Sequence, residues 1–177
     1  MADVQPFRGI RYNTDHISDI SSVISPPYDV VSPEEQKLYY RNSPYNVIRL
    51  ELGEDRPSDS PGNNKYTRAG DIFSGWLNQG VLIRERIPAF YVLQHCFMQQ
   101  GSQKNRWGLV ARVRLAKESA GGTRPHEVIM ESRVQERLNL LHHCPANISP
   151  IMGMVRHESD GLLSFLTRFA RGSPQLS

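Results

Sequence analysis

Residues 89–98 and 107–115 are rich in β-branched and aromatic side chains and flank Gln100-Gly101-Ser102, which predicts a β-hairpin. That pairing constrains the chain most, because every remaining periodic segment of comparable length reads as a helix or a short strand. Lys65 opens a stretch in which Tyr66, Ala69, Phe73, Trp76 and Leu77 recur at helical spacing, with Gly80 as the C-terminal stop. Ser32-Pro33-Glu34-Glu35 has the form of a helix start: Ser32 at the N-cap, Pro33 in the first position and Glu35 closing a capping box, with the helix running to about Arg41. Val134, Leu138 and Leu141 predict a helix over 134–142, and Leu162, Leu163, Phe165, Leu166 and Phe169 an amphipathic helix over 162–170.

Two further strands are expected. Val47, Arg49 and Glu51 alternate with Ile48, Leu50 and Leu52, a period of two that predicts a strand with one buried face over 46–52. Residues 148–155 are read as another. Between these elements, Pro26-Pro27 fixes two φ angles and removes two donors, so 23–31 is a rigid loop, and the Gly-, Pro- and Ser-rich run 53–64 is a surface loop. Strands and helices mix without a βαβ rhythm, so the expected class is α+β, with a mixed sheet, a central β-hairpin and flanking helices. The chain of 177 residues is expected to be one domain, 1–177.

Composition narrows the function. Twenty-one Lys and Arg stand against 18 Asp and Glu, a net charge of +3, and the basic residues are scattered rather than gathered on one arm. That argues against duplex nucleic acid as a partner. No apolar run approaches the ~20 residues of a membrane span, and 1–9 lacks the apolar region of a secretory signal, so the expected location is cytoplasmic. Cys96 and Cys144 form no CxxC and are read as core thiols.

Polar groups of catalytic type concentrate between 125 and 150. His126-Glu127 follows the glycine-bearing turn 120–124 and precedes a helix, where backbone N–H groups and the helix dipole favour an anion. A loop histidine paired with its neighbouring carboxylate is the plainer alternative. Arg137 lies in the following helix, and Arg133 four residues earlier repels it, so an acid or anion must sit near Arg137. Asp29, held by the two prolines, is a candidate general base, or else an Asx-turn residue before Ser32. Arg49 is either a ligand contact or solvated, and Asn147 is a turn-former first and a ligand contact second. Adjacent helical His142 and His143 point about 100° apart and do not converge on one ion, so no metal site is expected there; they suit a helix C-terminus that Pro145 ends.

The succession Pro6-Phe7-Arg8-Gly9-Ile10-Arg11-Tyr12, Ser25-Pro26-Pro27-Tyr28-Asp29-Val30-Val31, Ser43-Pro44-Tyr45-Asn46-Val47-Ile48-Arg49-Leu50, Lys65-Tyr66-Thr67-Arg68-Ala69 and Pro125-His126-Glu127 resembles the domain-of-unknown-function 1015 family. The resemblance runs from Pro6 to about Val155. It implies that the chain is the N-terminal portion of a longer domain, so the 162–170 helix is expected either to pack on a missing C-terminal half or to self-associate. More distantly, the layout resembles the ParB and sulfiredoxin-like group, which includes free-serine kinases.

That second resemblance implies a phosphotransferase acting on an alcohol of a small-molecule substrate with ATP or ADP and Mg²⁺. Asp29, His126 and Glu127 would be its catalytic residues, and Gly122, Arg137, Arg49 and Asn147 its nucleotide contacts. The alternative is a nucleotide-binding regulatory or interaction module without turnover. The chain has Ile129 and Val134 where the family carries a Thr and a Lys, which favours the alternative.

Overall fold

The computed structural model describes residues 3–115, 129–154 and 161–170. The fold is α+β, as expected, and its ladders are three two-stranded sheets. The elements are β1 (Val4–Gln5), β2 (Ile10–Tyr12), a 3₁₀ turn (Ile20–Ser22), α1 (Pro33–Asn42), α2 (Ile48–Glu51), α3 (Lys65–Asn78), β3 (Leu82–Arg84), β4 (Tyr91–Gln99), β5 (Ser102–Val110), β6 (Arg112–Val113), α4 (Glu131–His143) and α5 (Gly161–Phe169). The chain gathers into two compact units, one of 1–9, 84–126 and 151–177, the other of 10–83 and 127–150.

The second unit holds most of the core. Ile17, Val23, Leu50, Ala69, Phe73, Trp76, Val81, Leu82, Leu140 and Cys144 form one buried cluster, and Tyr12 and Tyr45 tilt against the Trp76 indole. Burying Tyr12 raises its phenol pKa, and its hydroxyl donates to the Tyr45 carbonyl at 2.7 Å. The local signals for α1 and α3 hold at atomic level. Ser32 Oγ accepts from Glu35 N while Glu35 Oε2 accepts from Ser32 N at 2.8 Å. Asn64 caps α3 by accepting from Tyr66 N and Thr67 N, and Gly80 leaves the helix at φ +73°. Arg68 closes the 53–64 loop by a fork onto Asp59 at 2.6 and 3.1 Å, and this guanidinium holds the Asp59 carboxyl below its usual range.

The expected strand over 46–52 is instead a helical turn. Asn46, 1% exposed, donates to the Ser22 and Ile24 carbonyls and accepts from Ile48 N at 3.0 Å, which starts the turn. Glu51 N and Leu52 N then bond to the Val47 and Ile48 carbonyls. In a strand Glu51 would face away from Ile48; at i+3 of a helix it lies on the same side, and both are buried. The strand expected from 148 is also absent among the described residues. Pro150 interrupts that segment and removes a donor, and Ile151, Met152 and Met154 are exposed. α4 begins three residues earlier than predicted, and α5 agrees closely with the 162–170 expectation.

The first unit contains β1 paired antiparallel with β6, the β4–β5 hairpin, and α5 packed on β5. The hairpin is the one predicted, with nine residues in each strand. Cys96 lies exposed on it, donating to Asn105 Oδ1, so the core-thiol expectation holds only for Cys144.

Where α3 meets the end of α4, a Cβ on Gly70 would lie 2.4 Å from the His143 carbonyl oxygen. Alanine ordinarily favours a helix by about 1 kcal/mol over glycine, but here the obstacle is backbone that cannot yield. Gly70→Ala should therefore cost about 1–3 kcal/mol in urea denaturation. Gly62→Ala, with nothing within 4 Å, should shift stability by less than about 0.5 kcal/mol.

Candidate functional site

The most unusual polar group in the second unit is Glu51, whose side chain is 5% exposed. Its Oε1 accepts from Arg137 Nη1 at 2.7 Å and from Ser149 Oγ at 2.6 Å, and its backbone carbonyl accepts from Arg137 Nη2 at 3.1 Å. One guanidinium thus grips both the side chain and the main chain at the end of α2. Tyr28 covers the other side, its ring centroid 3.8 Å from Arg137 Cζ and 5.8 Å from Arg133 Cζ. The loop fixed by Pro26-Pro27 is thereby held against α4.

Two buried atoms of this group, Glu51 Oε2 and Arg137 Nε, have no hydrogen-bond partner. An unmatched buried polar atom costs about 1–3 kcal/mol, more for a charged group. A cavity of about 20 Å³ between α2, α3 and α4 is lined by Glu51, Arg137, Lys65, Tyr66 and Leu140, among others. It has room for about one water-sized group. Cys144 lies buried in the neighbouring core, where burial and the Glu51 charge push its thiol from 9.0 to about 11.

The structure brings some of the expected residues together. Arg137 has the acid that its spacing from Arg133 required, and that acid is Glu51. Arg133 is paired with Glu136 at 3.2 Å on the helix surface. Asp29 is exposed and adjoins Tyr28, so it sits beside the same helix. Arg49 is elsewhere: it stacks on Tyr40 at 4.3 Å and donates to the Tyr40 and Ser43 carbonyls, fastening α2 to the end of α1. Asn147 is exposed, two residues before Ser149. Gly122, His126 and Glu127 lie outside the described residues. Glu51 and Ser149 were missed; the one signal for Glu51 was the demand of Arg137 for an acid, which named no residue.

Two consequences are measurable. The exposed Cys96 should react with a thiol reagent in the native protein, whereas Cys144 should react only on unfolding. The Cys144 proton also links stability to pH. Between pH 9.0 and about 11 the folded thiol keeps a proton that the unfolded one releases, so stability should fall as pH rises through that window. Urea melts at either end of the window check this, and a rise in stability would contradict the burial of the thiol.

No curated protein and no solved structure matches the chain. A family model does, over residues 4–177, with the description Protein of unknown function (DUF1015). The match takes in α2, α4 and the Tyr28 loop, and with nearly the whole sequence covered, the chain belongs to the DUF1015 family.

Proposed function

We propose that the chain is a nucleotide-binding regulatory or interaction module that takes phosphate at the first turn of α4. The observation that carries this reading is what meets at that end of the helix. Met130 at the N-cap supplies no side-chain hydrogen bond, Arg133 stands in the first turn, and the Tyr28-Asp29 loop is held alongside. Helix N-terminal amides with an arginine are phosphate chemistry. Arg137 then orients the helix, its guanidinium committed to the buried Glu51, whereas Arg133 holds only an exposed pair with Glu136 that a phosphate can displace. Exposed Ile129 and Val134 supply no polar group for chemistry, which favours binding over turnover. Nucleotide is the ligand class that the sequence's distant resemblance to the ParB and sulfiredoxin-like group would imply.

A second reading, phosphoryl transfer to an alcohol of a small molecule, is favoured by Asp29, an exposed carboxylate in the same neighbourhood suited to accept a hydroxyl proton. Among the described residues no group of three or more His, Cys, Asp or Glu could cage a metal ion. A nucleotide-bound Mg²⁺ needs only one or two carboxylates, and Asp29 could supply one.

Titration calorimetry with ATP and ADP, with and without Mg²⁺, tests the first reading. Binding is expected, weakened about tenfold or more by Arg133→Ala, since a hydrogen bond to a charged group contributes about 1.5–3 kcal/mol. Absence of both heat and thermal shift would sink both readings. A phosphorylated product from a panel of hydroxyl metabolites would decide for the second.

A further inference from the structure

The β4–β5 hairpin closes through Gln100 and Gly101, both at positive φ (49° and 74°), as a two-residue type I′ turn requires. Gln99 and Ser102 are therefore a hydrogen-bonded pair, and the alternation of an antiparallel ladder fixes the rest. Tyr91, Leu93, His95, Phe97 and Gln99 direct their N–H and C=O groups at β5. Val92, Gln94, Cys96 and Met98 direct theirs away, and none of these four makes a backbone hydrogen bond to another described residue outside the hairpin.

An uncovered edge is ordinarily blunted by lysine, proline or a bulge. β5 carries Lys104 and Arg106 and is packed by α5. β4, Tyr-Val-Leu-Gln-His-Cys-Phe-Met-Gln, has no Lys, Arg, Asp, Glu or Pro, and its register with β5 runs unbroken through nine residues. Its apolar positions are also placed symmetrically about His95: Val92 mirrors Met98 and Leu93 mirrors Phe97.

We propose that β4 is a self-pairing edge, and that two copies of this chain join through it, antiparallel about a two-fold at His95, into a four-stranded sheet. In that register the outward-facing residues of one copy meet those of the other, so the free backbone groups pair along the whole strand. Leu93 lies opposite the partner subunit's Phe97 and Val92 opposite the partner subunit's Met98, exposed apolar side chains in each case. No Asp, Glu, Lys or Arg is brought opposite a like charge, and the only titratable side chains that face each other are the two copies of His95 at the two-fold. An isolated two-stranded hairpin is marginal in water, and a four-stranded sheet is not.

Sedimentation velocity over a range of concentrations should show a monomer–dimer equilibrium. Gln94→Pro removes an outward N–H that the hairpin does not use, so it should leave a monomer that melts as the unsubstituted chain does at concentrations where that chain is itself monomeric. Phe165→Ser, on α5, should leave the dimer intact. His95→Cys in a Cys96→Ser background should give a disulfide-linked dimer under mild oxidation, because the two copies of position 95 form a non-hydrogen-bonded pair about 4.5 Å apart at Cα, where facing side chains come closest. A chain monomeric at all concentrations, a dimer that survives Gln94→Pro or dissociates with Phe165→Ser, or failure of the His95→Cys link would each overturn the proposal. The crosslink decides independently if the proline variant misfolds.

Discussion

A carboxylate removed from water must find compensating partners, and the second unit is organised around meeting that demand for Glu51. Desolvating an ion costs several kcal/mol even after relaxation. Here one oxygen receives a guanidinium and a hydroxyl at 2.7 and 2.6 Å. Because the same guanidinium binds the Glu51 carbonyl and lies under the Tyr28 ring, four separate stretches of chain are tied to one charge: α2, the proline-fixed loop, α4 and the segment carrying Ser149. Such an arrangement fixes geometry more than it adds stability, since a well-packed apolar substitute often does as well energetically. Its consequence is that the first turn of α4 and the Tyr28-Asp29 loop keep a set relation.

Much of this frame was legible in the sequence wherever the signal is local. Ser32-Pro33-Glu34-Glu35, Gly80 and the Gln100-Gly101 turn each act through hydrogen bonds or φ preferences within a few residues, and each does in the structure what its chemistry demands. The errors arise where distant chain decides. Alternation at 46–52 looks like a strand until Asn46 bonds to Ser22 and Ile24, some two dozen residues earlier, and turns the backbone into a helix. That one misreading concealed the site. With Glu51 placed on a solvated face, Arg137 had a known need and no identified partner.

The two units differ in how their polar backbone is satisfied. In the second, helices bond internally and their caps come from neighbouring side chains. In the first, a long hairpin exposes an uncharged edge and apolar side chains such as Phe97 and Met98, so its unmet backbone valence points outward. Among the described residues no helix is long and apolar enough to cross a membrane. Family membership adds breadth to this picture without naming a reaction, and the chemistry rests on what the side chains around α4 can bind.

The central claim is that Glu51 and Arg137 act as one unit. A double-mutant cycle with Glu51→Gln and Arg137→Gln, read by urea denaturation, measures their coupling directly. The account predicts that each single change is strongly destabilising and that the pair is coupled by about 2 kcal/mol or more, so that the double variant loses far less than the sum. A coupling below about 0.5 kcal/mol, the range of independent sites, would contradict it.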